Sequence, residues 1–226
     1  MLKIITLYNI VLKFKQFLFM KKYFITGIST GVGKTIVSAI FVEALKADYW
    51  KPLQAGNLEC KDTDVVKSLV SNNISKFHAE TYKFKTPASP HYAAELENIV
   101  IDPDNFKIPE TSNHLIIESA GGLMVPLNKN FLMIDLIKKF ETEVILVSQN
   151  YIGSINHTLL SVEALKNRLI PIKGIVFNGE RNESSENYIL EYTGIPCVLR
   201  VEQEKNINKN TILKYSNLIA TLIRQI

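Results

Sequence analysis

A glycine-rich stretch near the N-terminus carries the clearest chemistry in this chain: Gly27-Ile-Ser-Thr-Gly31-Val-Gly33-Lys34-Thr35. It follows a short apolar run at 23–26 and opens a helical pattern at 34–47. Small residues let backbone N–H groups turn inward toward phosphate oxygens, and the helix N-terminus adds partial positive charge beneath them. Lys34 can reach the β- and γ-phosphates, and the Thr35 hydroxyl can take one position on Mg²⁺. The strict spacing G-x-x-x-x-G-K-[ST] is not met, because Ile28 holds the first-glycine position and Gly27 stands one residue earlier. The loop is therefore a variant with one extra residue, and the expectation is a bound nucleotide with Mg²⁺.

A phosphate-bound Mg²⁺ keeps several waters and takes one or two carboxylates besides the threonine. Glu118 ends the apolar run 114–117 and is followed by Ser119-Ala120-Gly121-Gly122. In open α/β sheets ligands bind beyond the carboxyl ends of the strands, so a strand-end acid before a glycine pair is well sited for metal. Gly121 and Gly122 read as backbone donors. Asp64, in Lys61-Asp62-Thr63-Asp64, opens a helix, and two readings stand: a metal ligand, or a partner of the helix dipole. Lys51, after Tyr49-Trp50, also has two: a charge stabiliser for a transferring phosphoryl group, or a solvated surface lysine.

Positioning these residues takes alternating strands and helices. Apolar runs at 23–26, 49–51, 114–117, 144–148, 172–177 and 197–199 read as strands, and helical patterns fall at 34–47, 62–70, 132–140, 154–167, 184–192 and 210–225. Continuous Ile/Val/Leu runs such as Leu115-Ile-Ile117 mark strands covered on both faces, as in a parallel sheet. Pro171 and Pro196 each precede a strand, where a missing N–H is tolerated. No repeat or Gly/Ser linker interrupts the pattern, so 21–226 reads as one domain. Residues 1–20 read as an extension outside it, either an upstream start that is not used or an amphipathic surface helix. Lys13 and Lys15 interrupt its apolar run, which argues against a membrane span.

The chain of 226 residues is 46% hydrophobic and 21% charged, the balance of a folded globular protein and not of a disordered or collagen-like one. Of its net charge of +4, Lys3, Lys13 and Lys15 in the first twenty residues supply most, which leaves no basic patch for nucleic acid. The two cysteines, Cys60 and Cys197, cannot form a disulfide framework, and no C-x-x-C pair is present. Reduced thiols fit a cytoplasmic protein.

Taken in order, the motifs resemble the dethiobiotin synthetases, ATP-dependent ring-closing enzymes of biotin synthesis. The landmarks are T-G-x-x-T-x-V-G-K-T at 26–35, K-P-x-x-x-G at 51–56, Thr63-Asp64 in place of Ser-Asp, and P-x-S-P-H at 87–91. Then come E-x-A-G-G at 118–122, G-x-I-N-H at 153–157, Asn178 after a strand, and Ile195-Pro196. The resemblance implies an α/β, P-loop NTPase-like fold with a mostly parallel central sheet and helices on both faces. It implies carboxylation of 7,8-diaminononanoate at one amine by CO₂ or bicarbonate, phosphorylation of the carbamate by ATP as co-substrate, and ring closure by the second amine. Lys51, Lys34 and Thr30 would be the catalytic residues, and Thr35, Asp64 and Glu118 the Mg²⁺ ligands. Nucleotide would lie against Gly31, Val32, Gly33, Ile36, Ser119, Ala120, Gly121, Asn178 and Gly179, with Asn178 at the adenine. Substrate would meet Ala55 and Gly121. Ser154, Ile155 and Asn156 would reach the substrate carboxylate across a homodimer interface.

Three positions depart from the pattern. Ala55 stands where the family has a hydroxyl against the substrate, Ser119 replaces a glycine, and Val201-Glu-Gln-Glu204 replaces a Gly-x-x-Pro turn near the nucleotide. His91 and His157 read as polar packing, because the substrate amines can shuttle their own protons. The alternative is a partition-type ATPase switch that binds a protein or DNA partner. Such switches carry a second lysine five residues before the Gly-Lys-Thr lysine, where this chain has Ser29.

Overall fold

A computed structural model describes residues 20–223; the extension read at 1–20 lies almost entirely outside them. Eleven strands and seven α-helices are described. In chain order they are β1 (Lys22–Gly27), α1 (Lys34–Leu45), β2 (Asp48–Trp50), β3 (Leu53–Ala55), α2 (Asp62–Leu69), β4 (Phe77–His78), β5 (Tyr82–Phe84) and α3 (Pro90–Leu96). There follow β6 (Leu115–Gly122), β7 (Pro126–Asn128), β8 (Phe131–Leu132), α4 (Met133–Lys139), β9 (Glu143–Gln149), α5 (Ser154–Asn167), β10 (Ile172–Gly179), α6 (Glu183–Thr193), β11 (Cys197–Glu202) and α7 (Lys209–Ile223).

Seven strands form one sheet in the order β11-β10-β9-β1-β6-β2-β4. Every pairing in it is parallel. Side chains alternate between its faces. Phe24, Trp50, Leu115 and Ile117 turn to the core beneath α4 and α5, with Ile134, Ile137, Val162 and Leu165. Ile25, Tyr49, Ile116 and Ile145 turn to the core beneath α1 and α7, with Val37, Ile40, Phe41 and Ile212. Helices thus cover both faces, as the apolar runs required.

All six expected strands form, as the adjacent strands β11, β10, β9, β1, β6 and β2 of this sheet; β6 runs on through Gly122, so Glu118 lies within it and not at its end. The chain also builds β4, a two-residue edge strand, and two small sheets, β3 with parallel β5 and β7 with antiparallel β8. These are two or three residues long, too short for any periodicity to show. The first helix ends at Leu45 and not at Ala47, because Lys46 takes a left-handed conformation (φ 53°) and caps it through its N–H to Val42 O. α3 begins at Pro90, whose missing N–H suits a helix start.

Strand order puts the chemistry in one place. β1 lies between β6 and β9, and β2 lies beside β6. Because all run the same way, the glycine-rich loop after β1, Glu118 on β6 and Lys51 after β2 meet at one end of the sheet.

Candidate active site

The loop between β1 and α1 leaves the first turn of α1 without a side-chain cap, Gly33 at its N-cap being left-handed with φ 91°. The N–H groups of that turn need an outside acceptor, and an anion is the natural one. Gly33 is favoured twice over: its φ strains any other residue, and a Cβ there would lie 2.2 Å from Asn178 Nδ2. Asn178, from the end of β10, donates through Nδ2 to Val32 O at 3.0 Å and braces the loop from behind. Lys34 curls back, its Nζ donating to Ser29 O at 3.0 Å. Burial brings its pKa down to about 8, against the raising effect of the Glu118 carboxylate.

At the centre stands Glu118, fully buried. Its Oε1 accepts from Thr35 Oγ1 at 2.9 Å and from Lys51 Nζ at 3.1 Å. Its Oε2 accepts from Tyr49 Oη at 2.9 Å. Lys51 is no surface lysine: it is 4% exposed and paired with both Glu118 and Asp62. Burial works against its charge, but those two carboxylates outweigh it and hold its pKa above the usual lysine value. Burial, with the Glu118 charge second, pushes the Tyr49 phenol well above its usual range.

Asp64 stands apart from these groups. Its Oδ2 accepts from Lys61 N at 3.2 Å as the N3 member of a capping box, it is exposed, and it does not line the cavity. The acid that faces Lys51 is Asp62, two residues earlier. Both acids open α2, and the direction of each side chain separates them. Gln54 was also missed: it lines the cavity, donates through Nε2 to Gly56 O at 3.0 Å, and its Oε1 accepts from Asp62 N at 3.4 Å. It is 4% exposed.

A cavity of about 810 Å³ opens over these groups. Thr30, Gly31, Gly33, Lys34, Thr35 and Ile36 line one side of it. Lys51, Ala55, Asp62, Glu118, Ala120 and Gly121 line the other. Val32 faces inward and is buried in the core beneath α1. Ser119 is buried, and its Oγ donates to Gly121 O at 2.8 Å near the end of β6, where Gly121 takes φ 75°. Gly179 lies beyond Asn178, packed near the side chains of Gln149 and Gln203, and accepts through its carbonyl from Arg200 Nη2 at 2.9 Å. Ser154, Ile155 and Asn156 do not meet this cavity; they line a separate one, also of about 810 Å³, at the N-terminus of α5. His157 lines a third, of about 360 Å³, and bonds Tyr151 Oη through Nδ1 at 2.8 Å.

The oxygens of Thr35, Glu118 and Asp62 are hard donors of the kind that Mg²⁺ takes. Among the described residues no three His, Cys, Asp or Glu side chains gather as a metal site of their own. A divalent cation would fit here beside bound phosphate, whose oxygens would add to these.

Residues 21–211 match a family described as an AAA domain. An ATP-dependent dethiobiotin synthetase of Cytophaga hutchinsonii is 52% identical over 198 residues, 87% of this chain and 96% of that one. Its counterpart in Christiangramia forsetii is 53% identical over 196 residues, 87% of this chain and 94% of that one. The chain belongs to the AAA-domain family and to the ATP-dependent dethiobiotin synthetases. The resemblance drawn from the ordered motifs is thus borne out. A plasmid partition protein of Borrelia burgdorferi shares the fold, with a TM-score of 0.56 over 92% of this chain and 99% of that one. Only 12% of residues are identical, so that likeness shows the fold alone and carries no partition function across.

Proposed function

We propose that the cavity brings Mg-ATP and carbamylated 7,8-diaminononanoate together and closes the ureido ring of dethiobiotin. The observation that carries this reading is the pairing of buried Lys51 with Glu118 and Asp62 in a cavity that Lys34 and an uncapped helix N-terminus also line. The relatives' shared name supplies the reaction.

In the first step an amine nitrogen attacks CO₂ and loses a proton, giving a carbamate. A carbamate oxygen then attacks the γ-phosphorus, the bond from the γ-phosphorus to its bridging oxygen breaks, and ADP leaves. The second amine attacks the carbonyl carbon, the C–O bond to phosphate breaks, and the ring closes. No protein nucleophile is needed; holding the reactants in line supplies most of the acceleration.

Each side chain has a task in this scheme. The amides of 31–36 cradle the phosphates, and Lys34 leaves Ser29 O for the β- and γ-oxygens. Lys51, held charged by its two carboxylates, neutralises charge on the transferring phosphoryl group and on the carbamate. Thr30 and Gly121 lie beside the carbamate, with Ala55 supplying apolar contact in place of a hydroxyl. Asn178 and Gly179 stand on the adenine side. Thr35, Glu118 and Asp62 would hold Mg²⁺, with Asp62 in place of Asp64, and the ion would supply Lewis-acid stabilisation of phosphate charge.

The substrate carboxylate goes to the first turn of α5 in a second copy of the chain, which makes the working enzyme a homodimer. That turn is uncapped, with Gly153 left-handed at φ 97° and Ser154, Ile155 and Asn156 following it. A small soluble substrate set needs neither nucleic acid nor membrane and suits the cytoplasm. Among the described residues no helix is long and apolar enough to cross a bilayer.

The test is an assay of the full chain with diaminononanoate, bicarbonate and Mg-ATP. ADP release that depends on the diamine, with dethiobiotin formed one for one, is expected. ADP release indifferent to the diamine, or no ring product, would overturn the assignment.

A further inference from the structure

We infer that Tyr49 is a positioning residue of this site, its hydroxyl holding the Glu118 carboxylate so that Oε1 alone serves Lys51 and Thr35. The inference rests on the role proposed above for Glu118.

Tyr49 sits in the middle of β2, fully buried on the face beneath α1, with its ring 6.3 Å from that of Phe77. Phenylalanine would fill the same space. A buried hydroxyl costs free energy unless it is hydrogen-bonded, so an apolar core position that carries one asks what the oxygen does. Here it donates to Glu118 Oε2 at 2.9 Å.

That bond divides the carboxylate. Oε2 is taken by Tyr49 from the core beneath α1, while Oε1 accepts from Thr35 and Lys51, both of which line the cavity. The terminal torsion of a glutamate is broad and roughly two-fold, so packing alone does not fix it. A charge-assisted hydrogen bond to one oxygen does. With Tyr49 in place, the oxygen offered to a phosphate-bound cation keeps its place relative to the Thr35 hydroxyl. With phenylalanine, the carboxylate is free to turn, and its buried Oε2 seeks Lys51 or Thr35 instead.

The experiment measures the Mg²⁺ concentration needed for half-maximal binding of a fluorescent non-hydrolysable ATP analogue. It compares the full chain, Tyr49→Phe, Glu118→Gln and the double variant, with thermal melting of each. Tyr49→Phe is expected to melt within a few degrees of the parent and to need roughly five- to tenfold more Mg²⁺. On the Glu118→Gln background, which already needs more Mg²⁺, the same substitution should add nothing. An unchanged Mg²⁺ requirement in Tyr49→Phe, beside a raised one in Glu118→Gln, would overturn this inference and leave the site reading intact. An equal shift on both backgrounds, or a Tyr49→Phe chain that fails to fold, would make the hydroxyl a general stability element and also overturn it. A Mg²⁺ requirement unmoved by Glu118→Gln would instead remove the role of Glu118 on which the inference stands.

Discussion

Lys51 Nζ and Glu118 Oε1 lie 3.1 Å apart at the end of the sheet, with Glu118 fully buried and Lys51 4% exposed. Breaking a buried pair leaves the surviving charge without compensation, which is costlier than replacing both partners. Lys51→Met should therefore destabilise the fold by about 3–5 kcal/mol. It should also lower kcat by roughly 10²-fold or more, as loss of a preorganised charge at a phosphoryl group does. Denaturant unfolding and steady-state rates on the same preparation check both; a stable variant with normal turnover would return Lys51 to an ordinary surface role.

Asp62 and Asp64 make opposite predictions although they stand two residues apart on the first turn of α2. Asp62→Asn removes a carboxylate from the cavity and should raise the Mg²⁺ concentration needed for half-maximal rate several-fold, with a smaller loss of stability than Lys51→Met because Lys51 keeps Glu118. Asp64→Asn weakens a capping box and should cost about 0.5–1 kcal/mol of stability while the Mg²⁺ dependence stays put. Reversed outcomes would restore Asp64 as the ligand.

How much of this was legible in the chain follows from what each residue answers to. The glycine-rich loop, Lys34 and Thr35 sit at a strand end and a helix start that apolar runs announce, and Glu118 directly follows the run Leu115-Ile-Ile117, so their place could be read directly, although β6 continues past Glu118 to Gly122. Asp62 could not be told from Asp64 by pattern, because both open the same helix and only the direction of each side chain separates them. Tyr49 and Gln54 reach the site from β2 and β3, and β3 pairs in a two-stranded sheet of three-residue strands that no periodicity reveals. Lys51 was placed but not its burial, which depends on Asp62 and Glu118 arriving from other elements.

Gly33→Ala meets both a left-handed backbone (φ 91°) and the Asn178 amide at 2.2 Å. The strain should cost about 1–3 kcal/mol and pull the loop amides out of line, so nucleotide affinity should fall at least tenfold. Adding Asn178→Ala removes the clash but not the φ penalty and should recover only part of the loss. Calorimetric titration with Mg-ATP analogues reads it; full affinity in Gly33→Ala would show that the loop does not hold the phosphates.

At the start of β2, Asp48 ties that strand to the edge strand β4 and to the segment before β6, accepting from Asn113 Nδ2, Lys76 N, Thr111 Oγ1 and His78 Nε2. Burial opposes its charge, but these hydrogen bonds outweigh it and hold its pKa below the ordinary 3.8. A carboxyl depressed on folding contributes stability above its unfolded pKa, and that contribution drains away as pH falls through the folded value. Asp48→Asn should therefore be less stable than the parent at neutral pH by about 1–3 kcal/mol, a gap that narrows below about pH 4. Urea midpoints measured from pH 7 down to pH 3 would show it; a gap constant across that range would contradict the assignment.

Transfer of the γ-phosphoryl group to a carbamate oxygen leaves a mark on the products. When ring closure breaks the carbonyl C–O bond, the released phosphate keeps one oxygen that came from CO₂. Turnover with freshly added C¹⁸O₂, before its label exchanges with water, should give inorganic phosphate carrying one ¹⁸O per dethiobiotin formed, read by mass spectrometry. Phosphate without label, at a time when the remaining CO₂ still carries it, would mean that water and not the carbamate took the phosphoryl group, and the account of this cavity would fail.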